Sequence, residues 1–214
     1  MQTHGPTIEV EPDPTPIALI LAATLRRSAR DPKRAARMSK ARGNVALQST
    51  VDPQAATIRF DRGTVRVVSG VSSDVHVTIA VDVNKMSDES PPKPSVKGAA
   101  THVRLALLAA KVLDAPHGTW QAEGHAFLDP IATISGAPRG VRVVCTDDQS
   151  EYVYGDSTAI EYELFGSAHC LINIFCGNTV FGQDLLDGKV RAVGSLSHLA
   201  TLTGRSIAVM LGAS

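Results

Sequence analysis

Aromatic residues are scarce: Phe, Tyr and Trp make up 4% of the 214 positions. A core built from this chain must rest mainly on Val, Ile, Leu and Ala. Net charge is absent too, with 21 Lys+Arg against 21 Asp+Glu. No overall field draws the protein to nucleic acid or to an acidic surface, so no nucleic-acid partner is expected and only local charge clusters can inform on partners. Paired cysteines are missing. Cys145, Cys170 and Cys176 form no Cys-x-x-Cys motif, and the spacing of the last two would put them on nearly opposite helix faces. Buried, reduced thiols are the expectation. The N-terminal region has acids and prolines where a signal peptide needs basic and then apolar residues, and its apolar stretch Ile17–Leu25 is too short to span a bilayer. A cytoplasmic location is expected. The sequence also lacks a Gly-x-Ser-x-Gly elbow, a phosphate-binding loop ending in Lys-Ser/Thr, a Gly-x-Gly-x-x-Gly turn and a His-x-x-x-His pair. No catalytic residue, metal or cofactor is therefore expected, and the chain is not expected to be an enzyme.

What is present is a globular composition, 43% hydrophobic. Residues 1–16 read as a Pro-spaced flexible tail. Ile17, Ile20, Leu21 and Leu25 recur at helical spacing, and Asp31-Pro32 marks the cap and first position of a second helix. After Gly43 the period changes. Asn44–Ser49, Ala56–Phe60, Thr64–Ser69 and Val75–Val81 are β-branched runs separated by turn residues, spaced for antiparallel hairpins. Residues 84–99 read as a mobile Pro/Ser/Lys loop. A helix is expected at His102–Leu113, a strand at Thr119–Glu123 and a helical segment at His125–Ile134. Strands follow at Val141–Cys145, Glu151–Tyr154 and Ala159–Phe165, then helices at Ala168–Phe175 and Val180–Leu186 hinged at Gly177. The strand Lys189–Gly194 and a helix from Leu196 to Leu202 close the chain. Gly118–Gly124 matches Gly188–Gly194 at an offset of seventy residues, each after a helix ending in Leu-Asp, which suggests an internal repeat.

Several clusters carry chemical potential. His125 and Asp129, four apart, could orient an imidazole on a helix, but surface or capping roles explain them and no third partner is near in sequence. Asp147, Asp148 and Glu151 fit a solvated hairpin turn better than a cation site. The basic run is more informative: Arg26, Arg27, Arg30, Lys33, Arg34, Arg37, Lys40 and Arg42 are opposed locally only by Asp31. It reads either as a solvated helix face or as a patch for anionic lipid head groups or an acidic partner, with Arg26, Arg27, Arg30, Arg34 and Arg37 as the anionic-surface residues.

The pattern resembles the sterol-carrier-protein family of lipid-binding domains. The matching segments are Gly43–Leu47, Ile58–Val65, Asp74–Ile79, Phe165–Ala168, Leu186–Arg191 and Val193–Leu196. The resemblance implies an α+β fold, an antiparallel-rich sheet covered by helices on one face, and an apolar tunnel holding a fatty acyl chain, acyl-CoA or sterol. Residues 83–155 separate the two best-matching portions, so the chain carries either an insertion or a degenerate tandem with an internal pseudo-repeat, and the Gly118–Gly124 match favours the tandem. Its halves are then 17–134 and 135–214. The helices at 168–175 and 180–186 are apolar around much of their surface, which fits either a packed core or a lipid pocket. The candidate lipid-binding residues are Leu171, Ile174, Phe175, Val180, Phe181, Leu185, Leu186 and Leu199. The leading expectation is a non-catalytic lipid-binding or lipid-transfer protein, able to dock peripherally on an anionic membrane surface. The alternatives are an accessory subunit or relative of an enzyme carrying this domain, and a scaffold acting through its basic helix. Uncovered edge strands allow a homodimer.

Overall fold

A computed structural model describes residues 5–86, 88, 90–115 and 117–212. Residues 1–4 of the expected tail and 87 and 89 of the expected loop lie outside the described residues. The chain divides into two units, 1–116 and 117–214.

The first unit begins with strand β1 (Thr7–Val10), in the segment whose composition predicts a loose tail. Its alternating Ile8 and Val10 side chains pack against the core, while Glu9 pairs with Arg66 at 2.8 Å. Two helices follow. Helix α1 (Pro16–Ala29) buries the stripe Ile17, Ala18, Leu21, Ala22 and Leu25. The Asp31 side chain accepts from the N–H groups of Lys33 and Arg34 and starts α2 (Pro32–Met38) with proline at its first position. Strands β2 (Arg42–Ser49), β3 (Ala55–Asp61) and β4 (Thr64–Ser69) lie where period-two alternation places them, and β5 (Val77–Val81) starts two residues after the expected Val75. A short β6 (Ser95–Lys97) precedes helix α3 (Val103–Leu113). The segment expected as a mobile loop thus contains a 3-10 turn at Val83–Lys85 and an edge strand. The sheet order is β1-β4-β3-β2-β5-β6. The β2–β3 and β3–β4 pairs are antiparallel hairpins as expected, but β5 crosses over to run parallel to β2. Val45, Leu47, Ile58, Phe60, Val65 and Val67 join the core with α1 and α3 residues, while Arg59 and Arg66 on the other face are exposed.

The second unit starts with helix α4 (Trp120–Leu128), not with a strand at Thr119–Glu123. Trp120, Gly124, Phe127 and Leu128 are buried at helical spacing, and the Thr119 hydroxyl accepts from Ala122 N–H at 3.3 Å. Glu123 reaches back to accept from Gly118 N–H at 2.8 Å. A 3-10 turn (Asp129–Thr133) leads to strands β7 (Gly140–Cys145), β8 (Glu151–Gly155) and β9 (Ile160–Gly166). Helices α5 (Ala168–Phe175) and α6 (Phe181–Leu186), strand β10 (Val190–Gly194) and helix α7 (Leu196–Met210) complete it. Helix α7 runs well past the expected end at Leu202, because Leu202 and Ser206 both face inward. Trp120, Phe127, Leu128 and Ile131 belong to the second core, so the division falls at 116/117 and not at 134/135. Cys145, Cys170 and Cys176 form no disulfide, and Cys145 and Cys176 are buried. The architecture is α+β.

The internal repeat is real in topology, but its offset differs from the one the matching peptides suggest. Gly118–Gly124 contains a helix start and Gly188–Gly194 a strand, so that match is not structural. The second sheet has the order β10-β9-β7-β8, which reproduces β6-β5-β2-β3 of the first. Gln48 faces Ala55, and Val144 faces Glu151, both 96 positions on. Thr78 faces Lys97, and Glu163 faces Val193 in the corresponding pair. Ser49 lies opposite Val81 in the parallel pair and Cys145 opposite Gly166 in its counterpart. The hairpin loops agree as well: Ser49 N–H donates to Gln54 C=O and Cys145 N–H to Ser150 C=O, each at 2.8 Å. The second unit has no counterpart of β4 among the described residues, and it carries α5 and α6 where the first has its loop before β6.

Candidate functional site

An open groove of about 1420 Å³ lies in the first unit, between the C-terminal end of α2, the start of β2, the end of β3 and helix α3. Its wall includes Phe60, Leu105 and Leu108, all buried in the core, together with Val103 and Leu107. Arg37, Lys40, Arg42, Arg59, Arg104 and Lys111 also line it, opposed by Asp61 and Asp74. Asp74 is already engaged: it accepts from the Asn44 amide at 2.7 Å and lies 4.0 Å from Arg59. Among the described residues, Arg37, Lys40, Arg42, Arg104 and Lys111 form no salt bridge. The groove is therefore apolar along part of its wall and cationic around it.

Two histidines sit in the same groove. The rings of His76 and His102 meet edge to face with centroids 4.8 Å apart. His76 Nδ1 accepts from the Asn44 N–H at 3.1 Å, which leaves the proton of the neutral ring on Nε2. His102 is the N-cap residue of α3, yet among the described residues no side chain caps that helix. The free N–H groups and the positive end of its dipole therefore add to the cationic character of the groove. Gly43 has φ +129°, and a Cβ there would meet Leu105 Cδ2 at 2.8 Å. The glycine lets α3 approach β2 at this point.

In the second unit the position corresponding to His76 in the strand register is held by Glu161. It accepts from Arg139 N–H at 2.9 Å and from Arg139 Nε at 2.8 Å, and it lies 3.9 Å from His198. These hydrogen bonds, and the charge of Arg139, hold the Glu161 carboxyl below its ordinary range. Here the charges are paired internally.

The residues expected to line a lipid tunnel do not share one environment. Leu171, Ile174, Phe175 and Phe181 are buried in the second core, with Leu185 and Leu199 packed partly against it. Val180 is half-buried at the cap of α6. Leu186 is 84% exposed, so it cannot line an internal site. Leu185 and Leu186 are adjacent on a helix and point in different directions.

The basic run is divided as well. Arg34 donates to the carbonyls of Lys111 and Asp114, tying α2 to the end of α3. Arg26 and Arg30 line a shallow pocket of about 380 Å³ with Gly5, Pro6 and Ile8. Arg27 is half-buried, and only Arg37 of the five reaches the groove. Sequence reasoning misses Arg59, His76, His102, Arg104 and Lys111, because they come from segments that only the fold brings together.

Two other clusters resolve. His125 Nδ1 lies 3.3 Å from Asp129 and its Nε2 3.0 Å from the Tyr152 hydroxyl, a partner absent from the local sequence. The Tyr154 hydroxyl donates to Gln121 C=O at 3.1 Å, and burial pushes its pKa above the ordinary tyrosine value. Asp148 accepts from Ser150 N–H and Oγ and closes the hairpin turn as expected, whereas Asp147 accepts from Ala168 N–H at the start of α5. Among the described residues no group of His, Cys, Asp and Glu side chains could hold a metal ion, and no helix is long and apolar enough to cross a membrane.

No protein-family model matches the chain, and no curated protein matches it either. The solved structures similar to it include two of low identity. One is a UbiJ-SCP2 ubiquinone synthesis protein, with 16% identity and a TM-score of 0.34 over 45% of this chain and 96% of that one. The other is a conserved hypothetical protein of Thermus thermophilus, described as a candidate sterol carrier protein, with 15% identity and a TM-score of 0.35 over 52% of this chain and 92% of that one.

Proposed function

We propose that the protein binds an amphiphile with an anionic head group in the groove of its first unit, and carries out no chemistry on it. The observation that supports this reading is the groove's composition: an apolar stretch at Phe60, Leu105 and Leu108 beside six permanent cations, five of them without a carboxylate partner among the described residues. Unpaired cations beside an apolar wall suit a ligand that joins an acidic group to a hydrocarbon chain. A fatty acid or an acyl-CoA supplies both parts, whereas a sterol has no acidic group for the cations. The uncapped start of α3 favours an anion at the same place.

Calorimetric titration of the whole chain with lauryl phosphate, and separately with uncharged lauryl maltoside, tests the reading. Lauryl phosphate should bind, and Arg42→Glu with Arg59→Glu should weaken it by at least about tenfold, since each cation contacting the head group contributes of the order of 1–3 kcal/mol. Equal affinity for the two amphiphiles, or an unchanged affinity in the double variant, would remove the basis for the proposal.

A further inference from the structure

The outer face of α3 raises a separate question. Its inward residues Leu105, Leu108, Ala109 and Val112 are buried, as an amphipathic helix requires. Its outward face should then be polar, yet Val103 is 53% exposed and Leu107 60%. They lie four apart, on one face. Arg104, Ala110 and Lys111 are exposed beside them, and the helix sequence VRLALLAAKVL contains no acidic residue. Arg37 and Lys40, exposed at the end of α2, line the same groove as these side chains. A solvated helix face ordinarily mixes both signs of charge and carries few large apolar groups. Two branched apolar side chains ringed by cations match a different medium, one apolar within and anionic at its edge.

We propose that this face docks on an anionic lipid bilayer, with Val103 and Leu107 entering the region below the head groups and Arg104, Lys111, Arg37 and Lys40 meeting the lipid phosphates and carboxylates. Charge complementarity selects this occupant: an acidic surface satisfies the cations, and the acyl boundary takes the exposed apolar pair. Because Val103, Arg104, Leu107 and Lys111 also line the groove, docking would bring its mouth to the membrane. The surface differs from the α1 portion of the basic run, where Arg26 and Arg30 line another pocket. The inference goes beyond the ligand reading, and the two can fail separately.

The test is co-sedimentation of the full chain with vesicles of phosphatidylcholine, alone or mixed with phosphatidylserine. Binding should require phosphatidylserine and should fall steeply with added salt. Val103→Asp with Leu107→Asp, and separately Arg104→Glu with Lys111→Glu, should each lower partitioning by at least about tenfold, while Arg26→Glu with Arg30→Glu should change it by less than about threefold. All of these side chains are exposed or half-buried, so circular dichroism should confirm that the variants stay folded. The Leu107→Trp variant adds a reporter, whose emission should be quenched by brominated phosphatidylcholine in the anionic vesicles. Wild type that ignores anionic vesicles overturns the proposal and leaves α3 as a face for a protein partner. So does binding that survives the α3 changes but is lost in the Arg26/Arg30 variant, or an unquenched Leu107→Trp on bound vesicles. Lauryl phosphate binding without vesicle binding would overturn the docking surface alone.

Discussion

Gly43 and Leu105 approach so closely that a Cβ on the glycine would stand 2.8 Å from the leucine Cδ2. The contact joins β2 to α3 beside the groove, and Gly43 adopts φ +129°, a conformation L side chains rarely take. Leu105 can swing its methyl aside, so backbone strain outweighs the clash. Gly43→Ala should therefore destabilise the first unit by about 1–3 kcal/mol. Urea unfolding followed by circular dichroism measures it. An unchanged midpoint would show that neither the strain nor the contact matters.

The second unit offers a sharper contrast. Leu171 is fully buried and Leu186 is 84% exposed. Leu171→Ala should cost roughly 2–5 kcal/mol, because surrounding core atoms cannot fill the void. Leu186→Ala should change stability by less than about 0.5 kcal/mol. Thermal unfolding of the two variants decides the matter, and a large loss from Leu186→Ala would contradict its placement in solvent.

Acid should weaken the second unit through Glu161. Its carboxyl is held below the ordinary glutamate range by hydrogen bonds from Arg139, then by the charges of Arg139 and His198. A group whose folded value is depressed contributes stability above its unfolded value and loses it as pH falls through the folded one. The loss should therefore set in as pH falls towards about 4.3, where an unfolded glutamate is half protonated, and continue through the lower folded value. Glu161→Gln should lower stability at neutral pH and flatten part of the acid limb. Only part should disappear, since Asp148 and Asp156 are depressed in the same direction by hydrogen bonds from Ser150 and Thr158. Urea midpoints measured from neutral to acid pH test this, and identical acid limbs for both proteins would contradict it.

These contrasts show what is legible in the residues. Strands such as β7 and β9 are readable because one face is buried and the other wet, so Val141, Val143 and Cys145 alternate with polar or half-buried neighbours. The Asp31-Pro32 cap is readable because its chemistry is local. Thr119–Glu123 passes for a strand, since five residues show alternation as easily as the opening of a helical stripe. Trp120, Phe127 and Leu128 reveal the longer period. Strand β1 is hidden by its flanking prolines, and its pairing with β4 depends on residues more than fifty positions away. The groove is legible only at Arg37, Lys40 and Arg42. Arg59, His76 and Arg104 join them through the parallel β2–β5 crossover and the approach of α3, which no local pattern encodes. Apolar density on α5 and α6 points to a tunnel because composition does not tell an inward leucine from an outward one.

The most direct test of the central claim is backbone-amide NMR of the whole chain, titrated with lauryl phosphate below its micelle concentration. If the groove binds the amphiphile, shifts should concentrate at Gly43, Asn44, Phe60, His76 and His102–Leu108, and should vanish in the Arg42→Glu, Arg59→Glu variant. Shifts centred instead on Leu171–Phe175 and Phe181–Leu185, or no shifts at all, would contradict the account.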